Sequence, residues 1–527
     1  MTAGLKAQFF NDFTGGLNTQ VQRQNLAINE SPDCLNVDFS RRGGMVLRRG
    51  WRNVSTDSNM STTAGYVVGQ FSAGTDVVWG VSASNRLWTW DGATATHVAT
   101  AITDGTSVSQ DTAARVRGAT WTGKLYFANC RLASALVMRY WNGTAFTTLT
   151  NVANDNYASP TSGNAPLARL IADHSGHLWW ADTIEAGTVY RSRLRFSHPL
   201  QPENFATNDY FDIEPDDQTN RITALFPFKN VLLVFKNRGV FAVYGQNRDD
   251  FTVERLSAES GAVSQEAVSG SAGVVYWWSP DGNVYAYNGK GVVPLGDRFA
   301  IDLVRDGTIY PQGDHRCLWA EGRLYVSVVL VDGVTRYWFV YDPLVGKSGA
   351  WTQYDFGASS AVWWRKSSGA NGIMFRLYNK AGLFDFNVAT QLFDFDGSTN
   401  TIPAGYYRTG WFSAGDTALL KRWKRLRVTA SVSDPAFLNA DVFYDFDEST
   451  VRKQLVADVS AASGSMLWGS GSWGSGTWAS SEVVFGFERL PSPGRSHAIQ
   501  FKFYFTSYST PWTVDSFTLP FLMKGYR

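Results

Sequence analysis

The chain has 527 residues, of which 18% are charged and 15% aromatic, with 21 Trp, 22 Tyr and 34 Phe. That length exceeds what one compact core fills, and the aromatic excess with 49 glycines favours strands and tight turns over a helical bundle. With 47 basic against 46 acidic residues the formal net charge is +1, which removes any bulk electrostatic reason to bind nucleic acid or an anionic membrane.

Cys34, Cys130 and Cys317 lie far apart and form no CxxC spacing. Neither a disulfide framework nor a thiolate metal site is expected, and a reducing site of synthesis fits. The longest apolar runs, such as Val231-Leu232-Leu233-Val234-Phe235, are strand length. They fall short of the roughly 20 residues of a membrane span, so no membrane insertion is expected. The opening Met1-Thr2-Ala3-Gly4-Leu5-Lys6 lacks the apolar core of a secretory signal, and export by the general route is not expected.

In chain order, residues 1–55 read as an N-terminal extended arm with a hairpin. The segment Arg41-Arg42-Gly43-Gly44-Met45-Val46-Leu47 predicts two short strands joined by a Gly-Gly turn, whose glycines supply left-handed conformations.

Residues 56–404 carry a recurring unit: an apolar strand, a turn, and an aromatic strand closed by a polar-Gly turn. Copies run from Asp76-Val77-Val78-Trp79-Gly80-Val81 with Arg86-Leu87-Trp88-Thr89-Trp90 to Gly372-Ile373-Met374-Phe375-Arg376-Leu377 with Gly382-Leu383-Phe384-Asp385-Phe386. About seven units at a spacing of roughly 40 to 50 residues match four-stranded blades, and predict a β-propeller with aromatic wedges between blades. A pair of β-sandwiches is the rival arrangement, since it too is built from hairpins.

Residues 405–527 change character, with the basic strand Lys421-Arg422-Trp423-Lys424-Arg425-Leu426-Arg427-Val428 and the alternating Ile499-Gln500-Phe501-Lys502-Phe503-Tyr504-Phe505. They predict a C-terminal β-sandwich interrupted by a Trp/Gly/Ser loop at 464–481. The fold class is therefore all-β throughout.

Chemistry is sparse. Asp212 and Glu214 alternate on one short stretch, as paired carboxylates for sugar hydrolysis would, yet the stretch also reads as a solvated loop before a blade junction. Of six histidines only His174 and His177 are close, and they have no third ligand. Ser279-Pro280-Asp281-Gly282-Asn283 approaches the Asp-box of sialidase propellers but is one residue short, and reads as a blade turn. No nucleophile elbow, P-loop or dinucleotide fingerprint is present, so no enzyme activity, metal or cofactor is expected.

Two basic groups, Arg41, Arg42, Arg48, Arg49 and Arg52, and Lys421, Arg422, Lys424, Arg425 and Arg427, are candidate contacts for DNA or a neighbouring subunit. Pairing with carboxylates, or simple exposure to water, is the alternative. Trp468, Trp473 and Trp478, spaced by five among Gly and Ser, suit neither a strand nor a helix face, and form a candidate partner-contact loop.

The stretch Phe13-Thr14-Gly15-Gly16-Leu17-Asn18-Thr19, followed by Pro32-Asp33-Cys34-Leu35-Asn36-Val37-Asp38 and Gly43-Gly44-Met45-Val46-Leu47-Arg48-Arg49-Gly50-Trp51, resembles the opening of bacteriophage tail nozzle proteins, also called tail tubular protein B. A second stretch, Gly261-Ala262-Val263-Ser264 through Trp278-Ser279-Pro280-Asp281-Gly282-Asn283-Val284-Tyr285 to Gly296-Asp297-Arg298-Phe299, is similar to the middle of the same family. The Trp/Gly/Ser loop and the closing Lys524-Gly525-Tyr526-Arg527 look like endings common in these virion proteins.

The resemblance implies a structural virion protein, made in the host cytoplasm and resident in the phage tail. It implies a homo-hexameric ring forming the distal DNA conduit and its closure, docking adaptor or fibre proteins, with genomic DNA passing through the channel. An arm that reaches a neighbour would suit the heterologous interfaces of such a ring. The alternatives are a tail-tip or receptor-binding propeller contacting a host-surface glycan, and a propeller glycosidase using Asp212 and Glu214.

Overall fold

A computed structural model of the chain describes residues 5–55, 65–72, 76–82, 86–92, 94–101, 115–128, 139–149, 167–185, 187–206, 208–217, 219–365, 371–378, 380–386, 393–431, 436–459, 465–466, 477–478, 486–489, 492–506 and 511–523. Cys130, Trp468 and Trp473 lie outside them. The chain divides into two units, one of residues 52–338 and 356–386, the other of residues 1–51, 339–355 and 387–527.

In the first unit each predicted repeat becomes an antiparallel meander hydrogen-bonded in chain order. Blade 1 holds Tyr66–Ser72, Asp76–Val81, Arg86–Trp90 and Ala95–Ala101, and blade 2 holds Arg117–Trp121, Lys124–Ala128, Arg139–Trp141 and Phe146–Thr148. Leu167–His174, His177–Glu185, Thr188–Phe196 and Tyr210–Asp212 form blade 3, and Ile222–Phe228, Val231–Lys236, Val240–Tyr244 and Thr252–Ser257 form blade 4. Blade 5 is Val268–Gly270, Val275–Trp278, Val284–Tyr287 and Val292–Pro294. Blade 6 gives this unit Arg316–Ala320, Arg323–Val329 and the start of Arg336–Asp342. Blade 7 is Ala358–Arg365, Asn371–Leu377 and Leu383–Phe386.

The junctions between blades form a cycle, which makes the unit a β-propeller. Trp79 and Val81 pack with Leu125, Phe127 and Trp141 between blades 1 and 2, and Tyr126 with Leu178 and Trp180 between blades 2 and 3. Trp179 and Leu194 meet Leu232 and Phe241 between blades 3 and 4, and Phe235 meets Trp277 between blades 4 and 5. Tyr276 stacks on Trp319, with ring centroids 5.2 Å apart, between blades 5 and 6. Trp338 lies 5.2 Å from Phe375 between blades 6 and 7. Val78, Trp88 and Trp90 then pack on Trp364, Met374 and Leu383, joining blade 1 to blade 7. Each wedge takes aromatic rings because a ring covers a large area with few rotamers to freeze.

The ring is closed from the other end of the chain: strand Trp51–Ser55 adds to Leu383–Phe386, so blade 7 combines late strands with an early one. At this seam Arg52 reaches Asp385, Nη2 to Oδ2 at 3.5 Å. The carboxyl is buried, and a Cβ on Gly372 would stand 2.5 Å from its Oδ1. Hairpin turns are equally local: Ser175 and Gly176, both at positive φ, turn the chain between paired His174 and His177.

In the second unit strand Thr513–Met523 is central. Lys421–Trp423 and Arg427–Ser431 line one edge, and Lys6–Phe10 and Met45–Leu47 the other. A second sheet runs Asp33–Leu35, Tyr406–Arg408, Ile499–Thr506, Ala436–Tyr444 and Lys453–Val459. Alternation at Phe501, Phe503 and Phe505 turns those rings inward, where Phe503 lies 5.1 Å from Phe517 and Phe505 stacks on Trp512 at 4.7 Å. The result is a sandwich in which the predicted arm is not separate. Lys6–Phe10, Asp33–Leu35 and Met45–Leu47 satisfy backbone groups in the C-terminal sheets instead of extending away from them. The predicted hairpin is present, as Val37–Phe39 paired with Met45–Leu47. Of the loop 464–481, only Ser465–Met466 and Thr477–Trp478 are described, as a parallel pair.

Burial pushes the Asp385 carboxyl up to about 6, against the pull of Arg52. The folded state therefore holds this proton more tightly than the unfolded chain does, and the group's contribution to stability falls as pH rises from its unfolded value of 3.8 to about 6. Asp385→Asn, which mimics the protonated acid, should raise unfolding free energy by on the order of 1–3 kcal/mol at pH 7.5 and change little at pH 3.5. Denaturant titrations at both values measure this, and equal effects at the two would refute it.

Candidate functional site

The motif-bearing segment builds one buried cluster in the sandwich unit. Asn36 sits at φ 55, fully buried, and its side chain donates to Ala404 O at 2.8 Å. Its Oδ1 accepts from Arg48 Nε at 2.8 Å and from the Asp355 backbone at 3.1 Å. Arg48, 0% exposed, forks onto Asp394 at 2.8 and 2.7 Å and also reaches Asp355 at 3.0 Å. Burial raises the Asp394 carboxyl above its ordinary value, with Arg48 opposing. Gly43, at φ 104, is required because any Cβ would lie 2.3 Å from Asn11 O.

The candidate basic residues therefore separate by role. Arg48 is consumed in the core, and buried Lys421 donates to His497 O at 2.9 Å and to Asp416 O. Both are corrected from surface contacts to internal ion or hydrogen-bond partners: Lys421 occupies an inward position of strand Lys421–Trp423, and Arg48, just after strand Met45–Leu47, turns its side chain into the buried Asn36, Asp355 and Asp394 cluster. Arg41, Arg42, Arg49, Arg422 and Arg425 are exposed, and Lys424 is half-buried. The two groups are not brought into one patch. Met45 pairs with Val514 on one edge of the central strand and Trp423 with Phe521 on the other, seven residues or roughly 23 Å along. In the propeller, Arg52 faces Asp385 as described above. Arg427 is an exposed strand residue of the sandwich. Trp478 belongs to a described strand, without its side chain, and Trp468 and Trp473 fall outside the described residues.

The carboxylates of the glycosidase alternative are each tied to a separate arginine. Arg193 forks onto Asp212 at 2.9 Å from both Nε and Nη2, and lies 3.7 Å from the rings of Tyr190 and of Tyr210. Glu214, at φ 45, pairs with Arg255 at 3.1 Å. Buried Lys236 fixes this stretch by donating to Ile213 O at 2.8 Å and Glu214 O at 3.0 Å.

Sequence reasoning missed the centre of the propeller. Residues of blades 1, 2, 3, 5, 6 and 7 surround a cavity of about 270 Å³ whose wall includes Arg115, Arg117, Arg316, Glu266, Tyr66 and Ser327. Arg117 forks onto Glu266 at 3.1 Å from Nε and Nη2. Burial alone would raise the Glu266 carboxyl, but Arg117 and Arg115 outweigh it and hold the group below its usual value. Asp314 receives Arg115 at 3.1 Å, Arg316 at 2.7 and 2.9 Å, and Arg336 at 3.1 Å. These residues come from three blades and carry no spacing in sequence. The arginine that opens two of the innermost strands, Arg117–Trp121 and Arg316–Ala320, was the available signal.

No family model matches the sequence, and no curated protein matches it. Among solved structures the chain is similar to the computationally designed Ika8 protein, at 14% identity over 64% of this chain and 100% of that one, with TM-score 0.36. It is similar to BBS1N in complex with ARL6DN, at 12% identity over 64% and 99%, TM-score 0.38. YCF48 bound to D1 peptide gives 11% identity over 68% and 100%, TM-score 0.37.

Arg48→Met leaves Asp394 buried without its fork and should lower unfolding free energy by about 3–5 kcal/mol. Arg41→Ala and Arg42→Ala, at exposed turn positions, should stay within about 0.5 kcal/mol. Chemical denaturation followed by tryptophan fluorescence separates the two classes, and a loss shared equally by all three variants would contradict the assignment.

Proposed function

We propose that this chain is a structural virion protein of a bacteriophage tail, a nozzle-like subunit that forms a homo-hexameric ring at the distal end of the DNA conduit. The observation that carries the reading is the fate of the motif residues. Gly16, Asn36, Gly43 and Arg48, which bear the resemblance, are the ones on which the sandwich unit depends, through positive φ at Gly16, Asn36 and Gly43 and the buried fork of Arg48. The motif is thus a framework requirement, as expected of a part that must stay rigid while DNA passes.

Supporting it, Asp212 and Glu214 serve ion pairs of the framework. Arg41 and Arg42 project at a hairpin tip, as exposed cations available to a neighbouring subunit, an adaptor, a fibre or DNA phosphates. A closed ring of identical subunits needs two different complementary faces on each copy.

Reconstruction of intact particles tests the proposal: six copies around the tail axis are expected. Copies confined to a peripheral fibre, or a three-fold tip bearing bound glycan, would overturn it. Cleavage of host-envelope polysaccharide that disappears in Asp212→Asn and Glu214→Gln would instead support the glycosidase.

A further inference from the structure

Among the described residues, the centre of the propeller gathers more arginines than carboxylates. Arg115, Arg117, Arg316 and Arg336 share Asp314 and Glu266, and the adjoining Arg169 and Arg221 share Asp182. Among the described residues, the ion pairs given for these six guanidinium groups fall on three carboxylates. These charges are out of water: Arg115 is 4%, Arg316 5% and Arg336 7% exposed. Burying an ion without a counter-charge is unfavourable, so the imbalance calls for an anion.

Donors are also left over. Among the described residues, Arg115 Nε and Nη1, Arg316 Nε and Arg336 Nε find no hydrogen-bond partner. Arg115 and Arg316 line the cavity of about 270 Å³, and its lining also includes the small apolar Ala358, Ala361 and Val362. The volume lies just under the roughly 300–1,000 Å³ of sites for drug-sized ligands, so it suits a phosphate ion or a one-ring sugar acid and excludes a polymer.

We propose that the propeller cavity binds a small oxyanion, a carboxylate or phosphate group, through Arg115 and Arg316. A planar guanidinium presents paired N–H groups at the spacing of two oxyanion oxygens, which an ammonium does not.

The full chain is titrated with sodium phosphate, and separately with sodium galacturonate, at ionic strength held constant with sodium chloride. Binding is followed by calorimetry and by the unfolding temperature. One saturable site per chain is expected for at least one probe, phosphate alone identifying a phosphate-type ligand and galacturonate alone a carboxylate one. Neutral galactose should not bind. Arg115→Gln and Arg316→Lys should each weaken binding about tenfold or more.

Ala361→Trp fills the cavity while leaving every ion-pairing residue unchanged in the sequence, and should abolish binding even where an arginine variant fails to fold. Absence of saturable binding by both anions, or binding unchanged in Ala361→Trp, overturns the proposal.

Discussion

A blade of a propeller cannot cover its own two faces, and this constraint governs the larger unit. Trp79, Trp179, Trp277 and Trp338 are all essentially inaccessible, and each is covered by a neighbouring blade. Burial is therefore complete only when the cycle is complete. The strand Trp51–Ser55 meets this need by joining the last blade, so opening the ring means breaking a hydrogen-bonded ladder as well as an apolar seam. Loop closure over more than three hundred residues is entropically affordable because its cost grows only with the logarithm of length.

Charge is handled differently in the two units. In the sandwich, Arg48 is answered in full: its Nε and both terminal nitrogens meet Asn36, the Arg49 carbonyl, Asp394 and Asp355. Such a cluster fixes one arrangement of the early and late parts of the chain, since each half leaves a buried group unpaired without the other. In the propeller, Asp314 serves three arginines at once, and several of their N–H groups find no acceptor among the described residues. The first is a structural lock; the second has room beside it for a ligand.

The legible part of the fold was the middle of each blade. Val231–Lys236 with Val240–Tyr244, and Val275–Trp278 with Val284–Tyr287, are buried on both faces and so read as apolar and aromatic runs. Innermost and outermost strands such as Arg117–Trp121 and Thr252–Ser257 carry mixed residues, because one lines a polar cavity and the other meets water. The early segment read as an arm because strands of two to five residues are too short for alternation to announce a partner.

From its composition, periodicity and turn residues alone, the sequence determined an all-β chain of repeated hairpins with a sandwich-like end, since these follow from local backbone preference and the period of two. Which arginine is buried, which carboxylate it meets, and whether an early strand joins a late sheet were decided only in three dimensions. Arg48 lies more than three hundred residues from Asp355 and Asp394, and Arg115 nearly two hundred from Asp314. The low charge noted at the outset conceals this: near neutrality over the whole chain coexists with a concentrated positive centre, because the fold, and not the sequence, sets where charges gather.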